Sequence, residues 1–344
     1  MLETEPLGRF KLILFLFFSV AVSAQSFPEK KVDELLKTGS QFILNQDYAS
    51  ADSIFKILEM EFKNLPIGNI YYAANSIAKS LDYGTEFEHD FIISNLEHAV
   101  KLSEILLDEN ENNLWNNYYM ALSKGYLAYY LALEEEYIDA FSEGYFSISF
   151  FNRCSEINPE FYESKIAAGS LLYWKSEKAN WIPFVKDDKQ TGINILEEVI
   201  KHKTYNYYIA VNSLLWIYIN EKDFNKAIEI ANLVLNEYPG NRYFQWGLAR
   251  AFEEIDKHKA IKIYSGILKS LNSINRLNFF NEITLKHKIA MLYERIGNYK
   301  SAMFYCSEIL SIQFINENEL NRINERLVRV KEQKERLAKL LNGE

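Results

Sequence analysis

The sequence predicts an all-α fold, a right-handed α-solenoid of stacked helix-turn-helix pairs that ends in a capping helix. The 344 residues include only 13 glycines and 6 prolines, fewer than the average shares of about 7% and 5%, so few positions interrupt helices. A spacing in which an alanine follows an aromatic residue after nine positions recurs along the chain. Hydrophobic residues make up 48% of the chain, which is enough to fill the core of such a fold.

The first 24 residues are expected to be a signal peptide. Arg9 and Lys11 precede an apolar run over residues 12–22, and the small residues before the bond after Ala24 suit a signal peptidase. The run is shorter than the roughly 20 residues that span a bilayer. We therefore expect an exported protein, periplasmic or secreted, with no integral membrane span after cleavage. An uncleaved anchor is the alternative, because two glutamates weaken the positive end of the segment.

The clearest copy of the repeat is centred on a turn at residues 221–223. Tyr218 precedes this turn, and Ala227, Ala231 and Val234 follow it. A small residue early in the second helix lets that helix approach its partner closely. Each pair leaves an apolar flank that the next pair buries, which produces a superhelix with a concave inner surface. The other copies are Phe42, Ala51, Phe55 and Leu58; Ala251, Ala260, Tyr264 and Ile267; Tyr293, Ala302, Cys306 and Ile309; and a degenerate copy at Ile138, Ser147, Phe151 and Cys154.

These residues resemble the tetratricopeptide-repeat family. The likeness covers residues 205–240, 32–66 and 284–314 most clearly. It implies a solenoid over residues 25–316 in which the first helix of each pair lines a concave groove that holds a partner. The tryptophan and glycine usual in the first helix are mostly missing, with Gly39 and Gly247 as partial counterparts. The repeat boundaries within residues 67–200 therefore stay open.

The resemblance implies partner-binding positions on the first helices, offset from the packed face. These positions are Asn212, Trp216, Asn220, Arg242, Gln245, His287, Met291 and Glu294. An aromatic anchor with neighbouring polar groups is typical of an interface hot spot, although a purely structural role for Trp216 is the alternative. The predicted partner is a protein or peptide of the cell envelope. A small-molecule or lipid binding protein of an envelope transport system is the second interpretation.

Two central segments leave a choice between structure and binding. The stretch YWKSEKANWIPFVKDD at residues 173–188 separates a helix over 160–178 from one that begins near Lys189. Trp181 and Phe184 in this loop either pin it to neighbouring helices or contact a ligand. Residues 113–136 are apolar nearly all round, which predicts a buried central helix or, alternatively, an aromatic platform for a ligand.

The sequence contains no motif for catalysis, a metal or a cofactor. The five histidines lack ligand spacing, and no phosphate loop or nucleophile elbow is present. Cys154 and Cys306 lie in apolar helical patterns that favour burial. The formal net charge of −9 disfavours nucleic acid as a partner, because phosphate backbones require a basic surface. We therefore predict a non-enzymatic protein without a cofactor.

Residues 317–344 predict a final amphipathic helix. Its apolar residues alternate at three- and four-residue spacing and comprise Leu320, Ile323, Leu327, Val330, Leu337 and Leu341. This seam either covers the last repeat as a capping helix or pairs with a second copy. The second interpretation predicts a homodimer through residues 320–341.

Overall fold

A computed structural model describes residues 26–179, 186–274, 279–313 and 317–342. The predicted signal peptide and the loop residues Trp181 and Phe184 lie outside these described residues. Within them the chain forms fifteen helices and no strand, which confirms the all-α prediction. The helices are α1 Lys30–Leu44, α2 Tyr48–Glu61, α3 Ile67–Tyr83, α4 His89–Glu109, α5 Leu114–Leu133, α6 Tyr137–Ile157, α7 Tyr162–Ala179, α8 Lys189–Val199, α9 Tyr207–Asn220, α10 Phe224–Leu235, α11 Arg242–Ile255, α12 Lys257–Asn272, α13 Phe279–Arg295, α14 Tyr299–Leu310 and α15 Glu317–Asn342.

The helices are arranged as seven consecutive pairs followed by α15. Each helix packs against the next one along the chain. The first helices of neighbouring pairs also contact each other, as α3 with α5, α7 with α9, and α9 with α11. The first helices therefore form the inner layer of the solenoid, and the second helices form the outer layer.

The turns inside four pairs share one conformation. Gln46, Glu135, Lys222 and Gly297 have φ values of 62°, 66°, 60° and 78° and occupy the middle of the turns before α2, α6, α10 and α14. An aspartate or asparagine follows in three of these turns and caps the next helix, as Asp223 does by accepting from the backbone N–H of Lys226 at 3.2 Å. Such a side-chain cap satisfies one of the free N–H groups at a helix start.

The structure shifts one predicted copy of the repeat. Ala51, Ala227, Ala260 and Ala302 are fully buried, as close helix packing requires, but Ile138 in the degenerate copy is 86% exposed. The turn at Glu135 is equivalent to the turn at Lys222. It therefore places the matching positions of the repeat seven residues earlier than the sequence predicted. Leu131 and Ala140, both buried, occupy the positions equivalent to Tyr218 and Ala227.

The pair α7 and α8 achieves its close contact through two glycines. A Cβ added at Gly192 would lie 2.5 Å from the backbone oxygen of Gly169 and 2.8 Å from the backbone nitrogen of Tyr173. The backbones of the two helices are therefore in direct contact, and a backbone cannot move aside as a flexible side chain can. The backbone N–H of Asp188 donates to Ser176 Oγ at 2.9 Å, which ties the start of α8 to the end of α7.

The ends of α1 and α3 meet the starts of α9, α11 and α13 across the inner side. Asn241 Nδ2 donates to the backbone oxygen of Leu44 at 2.8 Å, and Asn281 Nδ2 donates to that of Asp82 at 2.8 Å. Both oxygens belong to helix ends, where carbonyls lack partners within the helix. Arg242 Nε donates to Asp82 Oδ1 at 2.8 Å, and both side chains of this ion pair are buried. The solenoid thus closes upon itself.

Helix α15 covers the last pair by packing against α13 and α14. Ile323, Leu327, Val330 and Leu337 are buried in this contact. Because the apolar seam is occupied within the chain, the homodimer expected through residues 320–341 is not supported.

Substitution of Gly192 by alanine should destabilise the protein by about 1–3 kcal/mol, because the added Cβ would force the two backbones apart. The measurement is the midpoint of thermal unfolding by circular dichroism. Gly266→Ala is the matched control, since a Cβ at this helical glycine would meet no atom within 4 Å, and it should leave stability unchanged or raise it by up to about 1 kcal/mol. Equal effects of the two substitutions would contradict the packing.

Loss of the Arg242 side chain should weaken the closure. Arg242→Met leaves Asp82 buried without its cation, which typically costs about 3–5 kcal/mol, so the unfolding midpoint should fall. Arg242→Met combined with Asp82→Asn should recover part of this loss. Arg295→Met is the control, because its ion pair with Glu254 is exposed and is worth at most about 1 kcal/mol. An Arg242→Met variant as stable as Arg295→Met would refute this role.

The packing of α15 should depend on pH through His287, which is 3% exposed. Burial and the nearby Arg326 and Arg329 lower its pKa from 6.5 to about 4. The unfolded chain takes up a proton below about pH 6.5, whereas the folded chain does not. The stability contributed here is therefore complete above pH 6.5 and declines toward pH 4, by on the order of 3 kcal/mol.

Thermal unfolding between pH 4 and pH 7.5 measures this effect. His287→Phe should lose less stability than the wild type as pH falls, while the exposed His258→Phe should follow the wild type. Parallel pH profiles for all three proteins would contradict the assignment.

Candidate binding groove on the inner helices

Three neighbouring hollows, each partly open to solvent, follow the inner helices, and together we call them the inner groove. The first hollow, about 230 Å³, lies mainly between α3 and the starts of α9 and α11. The second, about 570 Å³, lies between α5, α7 and α9. The third, about 550 Å³, is bordered by α7, α9 and α11. Residues shared by the first and second hollows are Tyr126, Tyr129, Asn206, Ile209, Asn212 and Tyr243, and Trp174 is shared by the second and third.

Large apolar side chains are accessible inside the groove. Tyr129, Ile209 and Tyr243 keep 44%, 44% and 48% of their surface accessible. Both tyrosines line the first and second hollows, and burial raises the pKa of both phenols. Unfilled contact surface of this kind, in a concave site, is typical of a binding pocket.

Helical spacing brings these side chains to one side. On α9, Ile209, Asn212 and Trp216 follow each other at intervals of three and four residues, so they share a face. The opposite face, which includes Leu214 and Tyr218, is buried in the core.

Helix α5 changes character along its length. Its first half is buried on all sides over residues 116–123, as the sequence predicted, while its second half presents Tyr126 and Tyr129 to the groove. The segment for which an aromatic platform was the alternative therefore contributes to both core and groove.

Asn212 carries an unsatisfied polar atom at the centre of the groove. Its Nδ2 donates to Tyr243 Oη at 3.3 Å, but its Oδ1 is buried without a hydrogen-bond partner among the described residues. A buried acceptor without a partner costs about 1–3 kcal/mol.

Glu163 forms the centre of a buried polar network beside the second hollow. Tyr118 Oη donates to Glu163 Oε2 at 3.0 Å, and Asn206 donates to the carboxylate through both its backbone N–H and its Nδ2, at 3.1 and 2.9 Å. Tyr71 Oη donates to Asn206 Oδ1 at 3.3 Å. Burial raises the pKa of Glu163, while these hydrogen bonds oppose the shift. The network joins α3, α5, α7 and the start of α9, and so fixes the walls of the groove.

The third hollow is more polar than the other two. Trp174 and Trp216 contribute aromatic surface, and Arg250 and Glu254 contribute charge. Arg250 Nη1 lies 3.4 Å from Glu253 Oε2 and 3.6 Å from Glu254 Oε1, while Lys222 and Asn220 add further polar surface to the hollow. This end of the groove can therefore bind polar groups as well as apolar ones.

The structure places the predicted binding residues in two groups. Asn212, Trp216 and Asn220 line the inner groove, and Asn220 Nδ2 also donates to Tyr173 Oη at 2.8 Å. The other predicted residues lie in contacts within the chain or away from the hollows. They are Arg242 in the ion pair with Asp82, Gln245 donating to the backbone oxygen of Pro239, His287 buried near α15, Met291 partly buried on α13, and Glu294 bound to Gln333 and Arg336 of α15.

Sequence reasoning did not select several residues that line the groove. Tyr126, Tyr129, Trp174 and Tyr243 were missed because their patterns are equally typical of a helical core. The sequence signal that could have found them is the excess of tyrosine, 23 residues in all, since buried phenols need hydrogen-bond partners or a wet cavity.

Other kinds of site receive no support from the described part of the chain. No group of three or more histidine, cysteine, aspartate or glutamate residues there has the arrangement of a metal site. None of the helices in the described ranges combines the length and apolarity required to cross a bilayer. No enzyme family is indicated by the comparisons with known proteins.

Those comparisons relate the chain to helical repeat proteins. A comparison with curated proteins found no match. Among solved structures, the chain is similar to human IFIT1, solved as a dimer with m7Gppp-AAAA, at 14% identity and a TM-score of 0.50, over 84% of this chain and 61% of that one. It is also similar to a thermophilic TPR protein of Thermus thermophilus, at 13% identity and a TM-score of 0.41, over 64% of this chain and 97% of that one. A tetratricopeptide repeat protein of Parabacteroides merdae matches at 13% identity and a TM-score of 0.37, over 90% of this chain and all of the other.

The family comparison assigns one segment directly. Residues 283–316 match the tetratricopeptide repeat family, and this range coincides with one of the segments that resembled the family in sequence. The match covers α14 and most of α13. The chain is therefore an all-α helical repeat protein that carries a tetratricopeptide repeat in its C-terminal part.

Proposed function

We propose that the chain is a non-enzymatic interaction scaffold whose inner groove binds an extended peptide segment of a partner protein. Tetratricopeptide repeats are typical of scaffolds for protein–protein interaction. The observation that carries the proposal is the continuity of the three hollows, which share lining residues from end to end. A connected path suits an elongated ligand that places successive side chains in successive hollows.

The lining indicates the chemistry of such a segment. The first and second hollows present mainly apolar surface from Tyr129, Ile209 and Tyr243, which favours aliphatic or aromatic side chains. The polar third hollow near Arg250 then receives a polar residue of the same segment.

RNA is a poor fit as the ligand, although human IFIT1 was solved with a capped RNA. The net charge of this chain is −9, and the first and second hollows are largely apolar with no lysine or arginine in their lining. Binding of a phosphate backbone relies on lysine and arginine. The similarity to IFIT1 therefore supports the fold and not the ligand.

A small apolar molecule is the second candidate ligand. The second hollow, about 570 Å³, lies within the range of about 300–1,000 Å³ that small-ligand sites occupy. Side chains of α5, α7, α9 and α11 line it. In this alternative the chain is a binding protein of an envelope transport system.

The place of action is part of the same proposal. The N-terminal pattern of Arg9, Lys11 and the apolar run that follows supports export, which puts the partner in the cell envelope. Mass determination of the chain recovered from its native cells, fractionated into envelope and cytoplasm, would test the predicted cleavage after Ala24.

Photo-crosslinking in the native cells tests the ligand directly. A benzoylphenylalanine residue at Tyr243 should yield one dominant protein adduct, and peptide mapping should place the cross-link in a single segment of that protein. The matched control is the same residue at Leu233, which is 46% exposed on α10 and should give no such adduct. Ile209→Arg in the Tyr243 variant should abolish the adduct, because a cation would occupy the apolar hollow.

The outcome distinguishes the two candidate ligands. Equal protein adducts from positions 243 and 233 would reject the peptide proposal. A mass excess of small-molecule size in native mass spectrometry, without a protein adduct, would replace the peptide with a small ligand.

A further inference from the structure

Helix α6 carries a continuous apolar stripe on the outside of the solenoid. Tyr137, Ile138, Phe141 and Tyr145 are 65%, 86%, 78% and 66% exposed. At about 100° per residue, these four positions fall within about 100° of the helix circumference, so they share one face. We call these four residues the α6 stripe. Single exposed apolar residues are ordinary, but a contiguous set on one helix indicates a site of interaction.

The fold leaves this face without a neighbour. Ala140, Ser147 and Phe151 on the opposite face are buried against α5. The next helix, α7, approaches the far end of α6, where Ser155 Oγ lies 2.7 Å from Ser164 Oγ. The first half of α6, which bears the stripe, therefore extends past the contact with α7.

Acidic residues surround the start of the stripe. Glu134, Glu135, Glu136 and Asp139 are all exposed. Among the described residues, the one ion pair formed by these four joins Glu134 to His89 at 3.7 Å, and it requires a protonated histidine. Glu143, further along the helix, is neutralised by Lys124 at 2.7 Å. The stripe thus combines an apolar ridge with an uncompensated negative charge at one end.

We propose that the α6 stripe binds an amphipathic helix of a partner protein, with basic residues beside its apolar face. An apolar ridge on a helix packs best against the ridges and grooves of another helix. Lysine or arginine on the incoming helix would complement the four acidic residues and speed its association. This surface lies on the outer layer, so it is independent of the peptide proposed for the inner groove.

The negative charge at this end of α6 also disfavours two other ligands, a membrane surface and a second copy of the chain. Helices that lie on membranes carry lysine and arginine on their polar face, whereas this end of α6 is acidic. A symmetric dimer through the stripe would repeat the same patch on both copies, so it would add no cation beside the acidic residues. Both arrangements are therefore disfavoured relative to a basic helix.

Two synthetic helices of equal length test the proposal on the full mature chain. Both carry the same leucine face, and the remaining positions are lysine and arginine in one peptide and glutamate in the other. Fluorescence anisotropy should show the basic peptide binding about tenfold or more tightly than the acidic one. Its affinity should also fall as salt is raised, because the acidic residues are exposed.

Variants locate the binding. Ile138→Ser with Phe141→Ser should reduce affinity for the basic peptide about tenfold or more, as loss of an interface anchor does. The control is Ile57→Ser with Met60→Ser, two exposed apolar residues of α2, which should change affinity by less than about twofold. Replacement of Glu135, Glu136 and Asp139 by their amides should remove most of the preference for the basic peptide.

Four outcomes would overturn the proposal. They are equal binding of the two peptides, unchanged binding by the stripe variant, self-association in sedimentation that the stripe variant abolishes, and binding to phosphatidylcholine vesicles that the stripe variant abolishes. The last two would assign the surface to a second copy or to a lipid instead. Circular dichroism establishes that each variant is folded.

Discussion

The buried ion pair between Asp82 and Arg242 is the contact on which the interior of this protein depends. Burying two charges is costly unless their hydrogen bonds are satisfied, and here other helices satisfy them. Tyr48 Oη donates to the Asp82 carboxylate at 3.0 Å, and Arg242 Nη1 donates to Ser270 Oγ at 2.9 Å. The pair therefore joins parts of the chain that lie 160 residues apart. It closes the solenoid at this point and borders the first hollow, whose lining includes Asp82.

The same closure explains how a solenoid can enclose apolar hollows. Stacked pairs contact their sequence neighbours alone in the usual arrangement, which leaves the concave side open to water. In this protein the polar network around Glu163 and Asn206 adds a second set of contacts among α3, α5, α7 and α9. Because these groups hydrogen-bond to one another, they fix the relative positions of the four helices. Tyr129 and Tyr243 can then remain accessible inside the molecule.

The two proposed binding surfaces use opposite layers of the solenoid. The inner groove is formed by first helices and offers two mainly apolar hollows and one more polar hollow. The α6 stripe belongs to a second helix and offers an exposed ridge with an acidic end. Their separation suits a scaffold, since one partner can occupy the groove while another rests on the outside.

The sequence alone determined the fold class, because a small residue at a fixed distance from an aromatic one is a local requirement of paired helices. It also located the turn at Lys222, whose neighbour Asp223 caps the following helix. Of the predicted binding residues, Asn212, Trp216 and Asn220 lie in the groove. Their helix, α9, contributes to all three hollows.

Only the tertiary structure decided the remainder. A sequence does not state which helices meet after a full turn of the superhelix, so the pairing of Arg242 with Asp82 could not be predicted from local spacing. For the same reason, the sequence predicted Arg242 as a groove residue, whereas the structure pairs it with Asp82. The register of α6 depended on the left-handed backbone at Glu135, a conformation that a non-glycine residue seldom adopts. Pattern therefore specified contacts between neighbouring helices, while contacts between distant ones depended on how the whole chain curves.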